Sequence, residues 1–126
     1  MKELDFEFVA DEKAPRISRV LVEELRALFG TRSDDVKLLV SELVTNSVRH
    51  AALSETVRVR VKVADDRIRL EVIDQGAGFS EIPMSIGGLG LVIVEQLAED
   101  WGVQMDGNFT VWVELGRSSE EADAAY

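Results

Sequence analysis

The chain opens on an alternation. Leu4, Phe6 and Phe8 are apolar while Asp5 and Glu7 are charged, a period of two that predicts a strand from Leu4 to Val9 with one buried face. After Pro15, which suits a first helical turn, the period lengthens. Ile17, Val20, Leu21, Leu25 and Leu28 recur at helical spacing, and Gly30 is placed to stop that helix. Ser33 can cap the next one, with Asp34 and Asp35 at its positive end. Val36, Leu39, Val40, Leu43, Val44, Ser47 and Ala51 then mark one broad face of a helix reaching about Ala52. Two alternating runs follow. Val57, Val59, Val61 and Val63 alternate with Arg58, Arg60 and Lys62; Ile68, Leu70 and Val72 alternate with Arg69, Glu71 and Ile73. With Asp65-Asp66 between them, they predict a hairpin with one buried and one wet face.

Residues 74–90 are glycine-rich, lack a clear period and read as loops. Leu91, Val94, Ala98 and Trp101 predict a third long helix stopped by Gly102. Asp106-Gly107 is a turn signal between two last strands, Val103–Met105 and Phe109–Leu115. Strands in antiparallel pairs with three helices predict an α+β fold: a two-layer sandwich whose mixed, mostly antiparallel sheet carries its helices on one face. Residues 1–116 are expected to form one domain, and 117–126 a flexible acidic tail.

Composition narrows the function classes. With 46% hydrophobic and 30% charged residues, the chain can build a core without staples. It has no cysteine, which excludes thiolate metal sites and a thiol nucleophile and agrees with a cytoplasmic location. No apolar run approaches the roughly 18 residues of a membrane span. The net charge of −10 repels phosphate backbones, so neither nucleic acid nor membrane is an expected partner. No Lys or Arg lies between Arg69 and Arg117. A phosphate site built from the second half must therefore use backbone N–H groups, a helix N-terminus and a metal ion.

Three segments carry candidate chemistry. On the second predicted helix, Glu42, Asn46 and Arg49 share a narrow arc beside the apolar face, with His50 at its edge. A carboxylate can orient or deprotonate a hydroxyl. A carboxamide oxygen suits Mg2+, and a guanidinium suits phosphate. Taken alone, the arc is equally what a solvated helix face would show. Asp74-Gln75-Gly76-Ala77-Gly78 follows a strand; its carboxylate can accept from an exocyclic amine such as that of adenine, but a lone Asp-x-Gly-x-Gly is usually an ordinary turn. Gly87-Gly88-Leu89-Gly90 opens the third helix, where unpaired N–H groups can hold phosphate oxygens. No Gly-Lys-Ser/Thr follows it, so it is not a P-loop.

In that order, the three segments resemble the conserved boxes of the histidine-kinase-like ATPase superfamily (the Bergerat fold). The likeness runs from Pro15 to Leu115. It is greatest to the stand-alone anti-sigma-factor serine kinases, through Ser41-Glu42-Leu43-Val44-Thr45-Asn46-Ser47-Val48-Arg49-His50-Ala51, Ala98–Val103 and Thr110–Leu115. The resemblance implies a Mg-ATP-binding protein serine/threonine kinase that phosphorylates an anti-sigma antagonist and sequesters a sigma factor, often as a homodimer. Glu42 would be the general base and Asn46 the Mg2+ ligand. Arg49 would meet phosphate and His50 would line the nucleotide. Asp74 would accept from adenine, with Gly76 and Gly78 shaping its pocket and Thr110 supporting that end. Gly88, Leu89 and Gly90 would cradle phosphates, and 79–87 would be the lid. Two departures bear on activity: the lid has no Lys or Arg, and Leu89 stands where several relatives have Arg. They favour an alternative, a binding module that switches partners with ATP or ADP without phosphoryl transfer. An adaptor that has lost nucleotide binding ranks lower. His50 is the one histidine and sits inside the first box, and no phosphoacceptor helix pair precedes the domain, so a complete sensor histidine kinase is not expected.

Overall fold

A computed structural model describes residues 1–50, 56–74 and 89–117; of His50, Leu89, Gly90 and Leu91 it describes the backbone alone. The elements are β1 (Lys2–Val9), α1 (Ala14–Glu24), α2 (Arg26–Phe29), α3 (Ser33–His50), β2 (Thr56–Val63), β3 (Arg67–Asp74), α4 (Leu89–Leu97), β4 (Asp100–Met105) and β5 (Phe109–Gly116). The strands form one sheet in the order β1-β2-β3-β5-β4. Every pairing among the described strands is antiparallel, so the sheet holds no parallel pair of the kind a mixed sheet would contain.

Register explains the core. Val61 lies opposite Leu70, and Leu70 opposite Val113, so strict alternation delivers Val57, Val59, Val61, Ile68, Leu70, Val72, Val113 and Leu115 to one face. All are almost fully buried against Phe29, Val36, Leu39, Val40, Leu43 and Val44. Each such side chain contributes about 1.5–3 kcal/mol. The apolar face of α3 predicted from the sequence is thus the face that covers the sheet.

The first helical stretch departs from its prediction. Leu25 leaves helical geometry (φ −100°, ψ 16°) and separates α1 from α2, and Gly30 ends α2 at φ 56°. The buried side of α1 is Ala14, Ser18 and Val22, whereas Ile17 and Val20 are 43% and 50% exposed. Small side chains let α1 bed closely, and Ser18 satisfies its own hydroxyl by donating to the Pro15 carbonyl at 2.6 Å. Polar contacts then fix α1 on α3: Arg19 donates to Ser41 Oγ at 2.7 Å and Lys37 to Glu23 at 3.1 Å.

Ser33 does not cap α3. A 3-10 turn, Gly30–Arg32, feeds straight into the helix, and Ser33 already has helical angles (φ −57°, ψ −44°). Its hydroxyl is buried and has no hydrogen-bond partner. Asp34 and Asp35 do lie in the first turn. The third long helix also stops early. α4 ends at Leu97, and Trp101 belongs to β4, opposite Val113 and packed against the core. Gly102 is a strand residue opposite Trp112 and not a helix stop.

The other sheet face is a lattice of ion pairs. Arg58 meets Asp5 and Glu7, Arg60 meets Asp5 and Glu71, and Arg69 meets Glu71 and Glu114 while lying 4.5 Å over the Trp112 ring. For Arg69, burial opposes the charge, but the hydrogen bonds it donates to Glu71 and Glu114 outweigh that and raise the pKa. Arg58, Arg60 and Arg69 are thus engaged within the chain.

Arg117 follows directly on β5. Arg117 is buried, its N–H donates to the Asp66 carbonyl at 2.9 Å and its guanidinium to Ala64 O at 3.0 Å. Residues 118–126 lie outside the described part. Among the described residues no helix is long and apolar enough to cross a membrane.

Candidate functional site

The core-facing stripe of α3 ends in a polar residue. Ser47 follows Val40, Leu43 and Val44 on the buried face and meets the last residue of β3. That residue is Asp74, 3% exposed. Its position on the inner face follows from register, since it lies opposite Val57 on one side and Phe109 on the other. Ser47 Oγ donates to Asp74 Oδ2 at 2.7 Å. This short bond to a carboxylate joins the first and second candidate segments directly.

Asn46 precedes Ser47, about 100° round the helix, and Glu42 lies about one turn before Asn46 on the same arc. Both are half-buried, and Arg49 is exposed. The arc therefore rises from a buried carboxylate anchor, through a half-buried carboxamide and carboxylate, to an exposed cation.

The third segment is oriented by α4, which begins at Leu89, directly after Gly88. Val94 is fully buried, and α4 packs on α3. Arg32, immediately before α3, donates to the Leu97 carbonyl at 3.4 Å and pairs with Asp35. The C-terminal end of α4 thus sits beside the N-terminal end of α3. The N-terminus of α4 is the end of that helix away from Leu97. Its first N–H groups have no intrahelical partners, which gives that end a partial positive charge.

A family model described as the histidine kinase-like ATPase domain matches residues 9–114, from the end of β1 into β5. The chain belongs to that family. It is 34% identical to the serine-protein kinase RsbW of Bacillus licheniformis over 130 aligned positions, covering 85% of this chain and 81% of the relative. It is 31% identical to an anti-sigma F factor of Clostridium botulinum over 86 positions, covering 64% of this chain and 60% of the relative. A crystal structure of the RsbU and RsbW domains of a Mycobacterium tuberculosis protein superposes with a TM-score of 0.70 at 22% identity. That likeness covers 94% of this chain and 33% of the other, and shows the same fold.

Within this histidine kinase-like ATPase domain, the structure joins the helix that carries Glu42 and Asn46 to Asp74 at one end of the sheet, through Ser47. It does not bring Thr110 there. Thr110 pairs with Ile73, and alternation sends it to the ion-paired face with Trp112 and Glu114. The β5 residue on the Asp74 face is Phe109, opposite Asp74 and 5% exposed. The β5 side chain across from Asp74 is thus an aromatic ring. The sequence offered no way to fix the phase of β5 against β3 at this end, because Phe109 and Thr110 both read as strand residues. Gly76, Gly78, Gly88, the lid 79–87 and the side chains of His50 and Leu89 lie outside the described residues. Ser47 was legible only as a core position. Its hydroxyl, facing an apolar stripe, was the available signal.

Among the described residues no cluster of three His, Asp or Glu could hold a metal ion. Asn46 carries the half-buried carboxamide on this arc, a donor type that suits an ion which keeps most of its waters and takes its other ligands from phosphates, as Mg2+ does.

Proposed function

We propose that this chain binds Mg-ATP and acts as a protein serine/threonine kinase of the anti-sigma-factor type. On this reading it transfers phosphate to a hydroxyl of an anti-sigma antagonist and sequesters a sigma factor in the cytoplasm, singly or as a homodimer. The observation that carries the reading is the Ser47–Asp74 bond, because it seats the first box against the second. The relatives' names, serine-protein kinase and anti-sigma F factor, support the choice of reaction and partners.

Asp74 accepts the adenine amine, with Phe109 beside it on the same face. Asn46 holds the Mg2+, which when bound neutralises phosphate charge. The N–H groups at Gly88, Leu89 and Gly90 receive phosphate oxygens, and exposed Arg49 adds a cation. Glu42 takes the proton from the substrate hydroxyl as its oxygen bonds to the γ-phosphorus and the bond to the ADP oxygen breaks. Phosphoryl transfer is chiefly positioning and charge stabilisation, which these groups supply without a lid cation.

The test is transfer of labelled γ-phosphate to a serine-bearing antagonist protein by wild type and Glu42→Gln. A general base contributes about 10²- to 10⁴-fold, so the variant should lose at least about 100-fold in rate while still binding ATP. Equal transfer would remove Glu42 from the mechanism. Nucleotide-dependent partner binding with no transfer by either protein would establish the switch module instead.

A further inference from the structure

Ser47 is a buried polar residue on the largely aliphatic face of α3, between Val44 and the end of β3. Its hydroxyl could have bonded back to its own helix, as Thr45 does by donating to the Ser41 carbonyl at 2.7 Å. It crosses instead to Asp74 Oδ2, with both side chains at most 9% exposed. A carboxylate on a single Cβ–Cγ bond rotates easily, since that torsion is broad and two-fold. With one oxygen held from a rigid helix, rotation breaks a charge-assisted bond in a buried setting, and the plane of the group becomes fixed.

Resting on the reading of Asp74 as adenine anchor, we infer that Ser47 is a positioning residue for purine selection. By fixing the carboxylate plane it aims the acceptor at a 6-amino group, so the site prefers adenine to purines with hydrogen or a carbonyl at position 6. A fixed acceptor rewards a donor and repels the lone pairs of a 6-oxo group. A rotating one could turn away or take a water between, and the preference would shrink. Sites that present a buried acceptor discriminate strongly only when that acceptor cannot relax.

The experiment compares dissociation constants for Mg-ATP and for purine riboside triphosphate, which lacks only the 6-amino group, with GTP as a third ligand. The proteins are wild type, Ser47→Ala, Asp74→Asn and the double variant. Alanine is smaller than serine and favours helix, so the fold of Ser47→Ala should stand, with its thermal midpoint as the check. Wild type should prefer ATP to the 6-H analogue by at least about tenfold, the worth of one hydrogen bond. Ser47→Ala should cut that ratio several-fold by weakening ATP while leaving the analogue unchanged. In the Asp74→Asn background the serine change should lower the ratio less, because the neutral amide makes a weaker bond to the hydroxyl than the carboxylate does. A role in packing alone would lower both ligands equally and leave the ratio intact, and that result overturns the inference while the anchor stands. A wild type indifferent to the 6-amino group overturns the anchor itself, and the inference with it.

Discussion

Gly102→Ala tests whether β4 begins where the structure places it. A Cβ at this position would lie 2.7 Å from Trp112 Cζ2 and 2.8 Å from Cε2 and Nε1, whereas ordinary contact begins near 3.4 Å. The indole must therefore retreat by 3.4 − 2.7, about 0.7 Å, and it is not free to do so. The Arg69 guanidinium lies 4.5 Å over the ring and is itself tied to Glu71 at 2.9 Å and Glu114 at 3.0 Å. Overpacking costs about 1–3 kcal/mol, and loosening the half-buried cation–π pair adds about 0.5–1 kcal/mol. A loss of about 2 kcal/mol is expected, which for a domain of this size lowers the thermal midpoint by roughly 8 °C. In a Trp112→Val background the obstacle is gone. There the same change should be neutral or stabilise by about 0.5 kcal/mol, since alanine suits a strand better than glycine does. Thermal unfolding of the four proteins closes the cycle. An equal cost in both backgrounds would refute the seating of Trp112 on Gly102. It would favour the role read from the sequence, a helix stop that needs a left-handed backbone; yet the positive-φ glycines among the described residues are Gly30 and Gly107.

Three further outcomes are expected. Asp74→Asn should keep the fold, because Ser47 can reverse its hydroxyl to accept from the new amide, yet bind ATP about tenfold to 100-fold more weakly for want of a charged acceptor; unchanged affinity by calorimetry would remove Asp74 from the site. Ser33→Ala should raise stability by a few tenths of a kcal/mol in urea unfolding, since it deletes a buried hydroxyl that has no partner, whereas a capping serine would show a loss of about 1 kcal/mol. Glu23 is held at a pKa of about 2 by hydrogen bonds from Arg26 and then Lys37. A depressed folded-state value means stabilisation that is present above the ordinary glutamate range and is lost as pH falls toward 2. Glu23→Gln should therefore flatten the decline of the thermal midpoint in that window at low salt. Because the pair is exposed, added salt should erase the difference; identical acid limbs at low salt would show that the pair does not stabilise the fold.

What the sequence made legible was whatever local periodicity alone decides. Val57 to Val63 alternates without interruption, and nothing in the tertiary structure could move it off the inner face without burying Arg58 and Arg60. Val36 to Val44 likewise admits one buried helical face. Legibility failed where two local readings were equally good and a distant partner chose between them. Ile17 and Val20 are as apolar as Val22, and the choice of face was made by Ala14 and Ser18, small enough for α1 to lie close against α3. Trp101 fits the helical spacing of Val94 and Ala98, but pairing with Val113 draws it into β4.

The candidate site shows the same division, with a functional consequence. Glu42 and Asn46 were readable because a helix fixes their mutual angle whatever surrounds it. Thr110 was not, because the face it occupies depends on the register between β3 and β5, set by residues as far off as the pairing of Ile68 with Leu115. Asp74 shares that dependence, and a slip of one residue would exchange it with Ile73 and break its bond to Ser47. The hydrophobic core beneath α3 and the placing of the anchor are therefore one constraint. Substitutions that loosen the β3–β5 ladder far from Asp74 should weaken nucleotide binding before they unfold the protein.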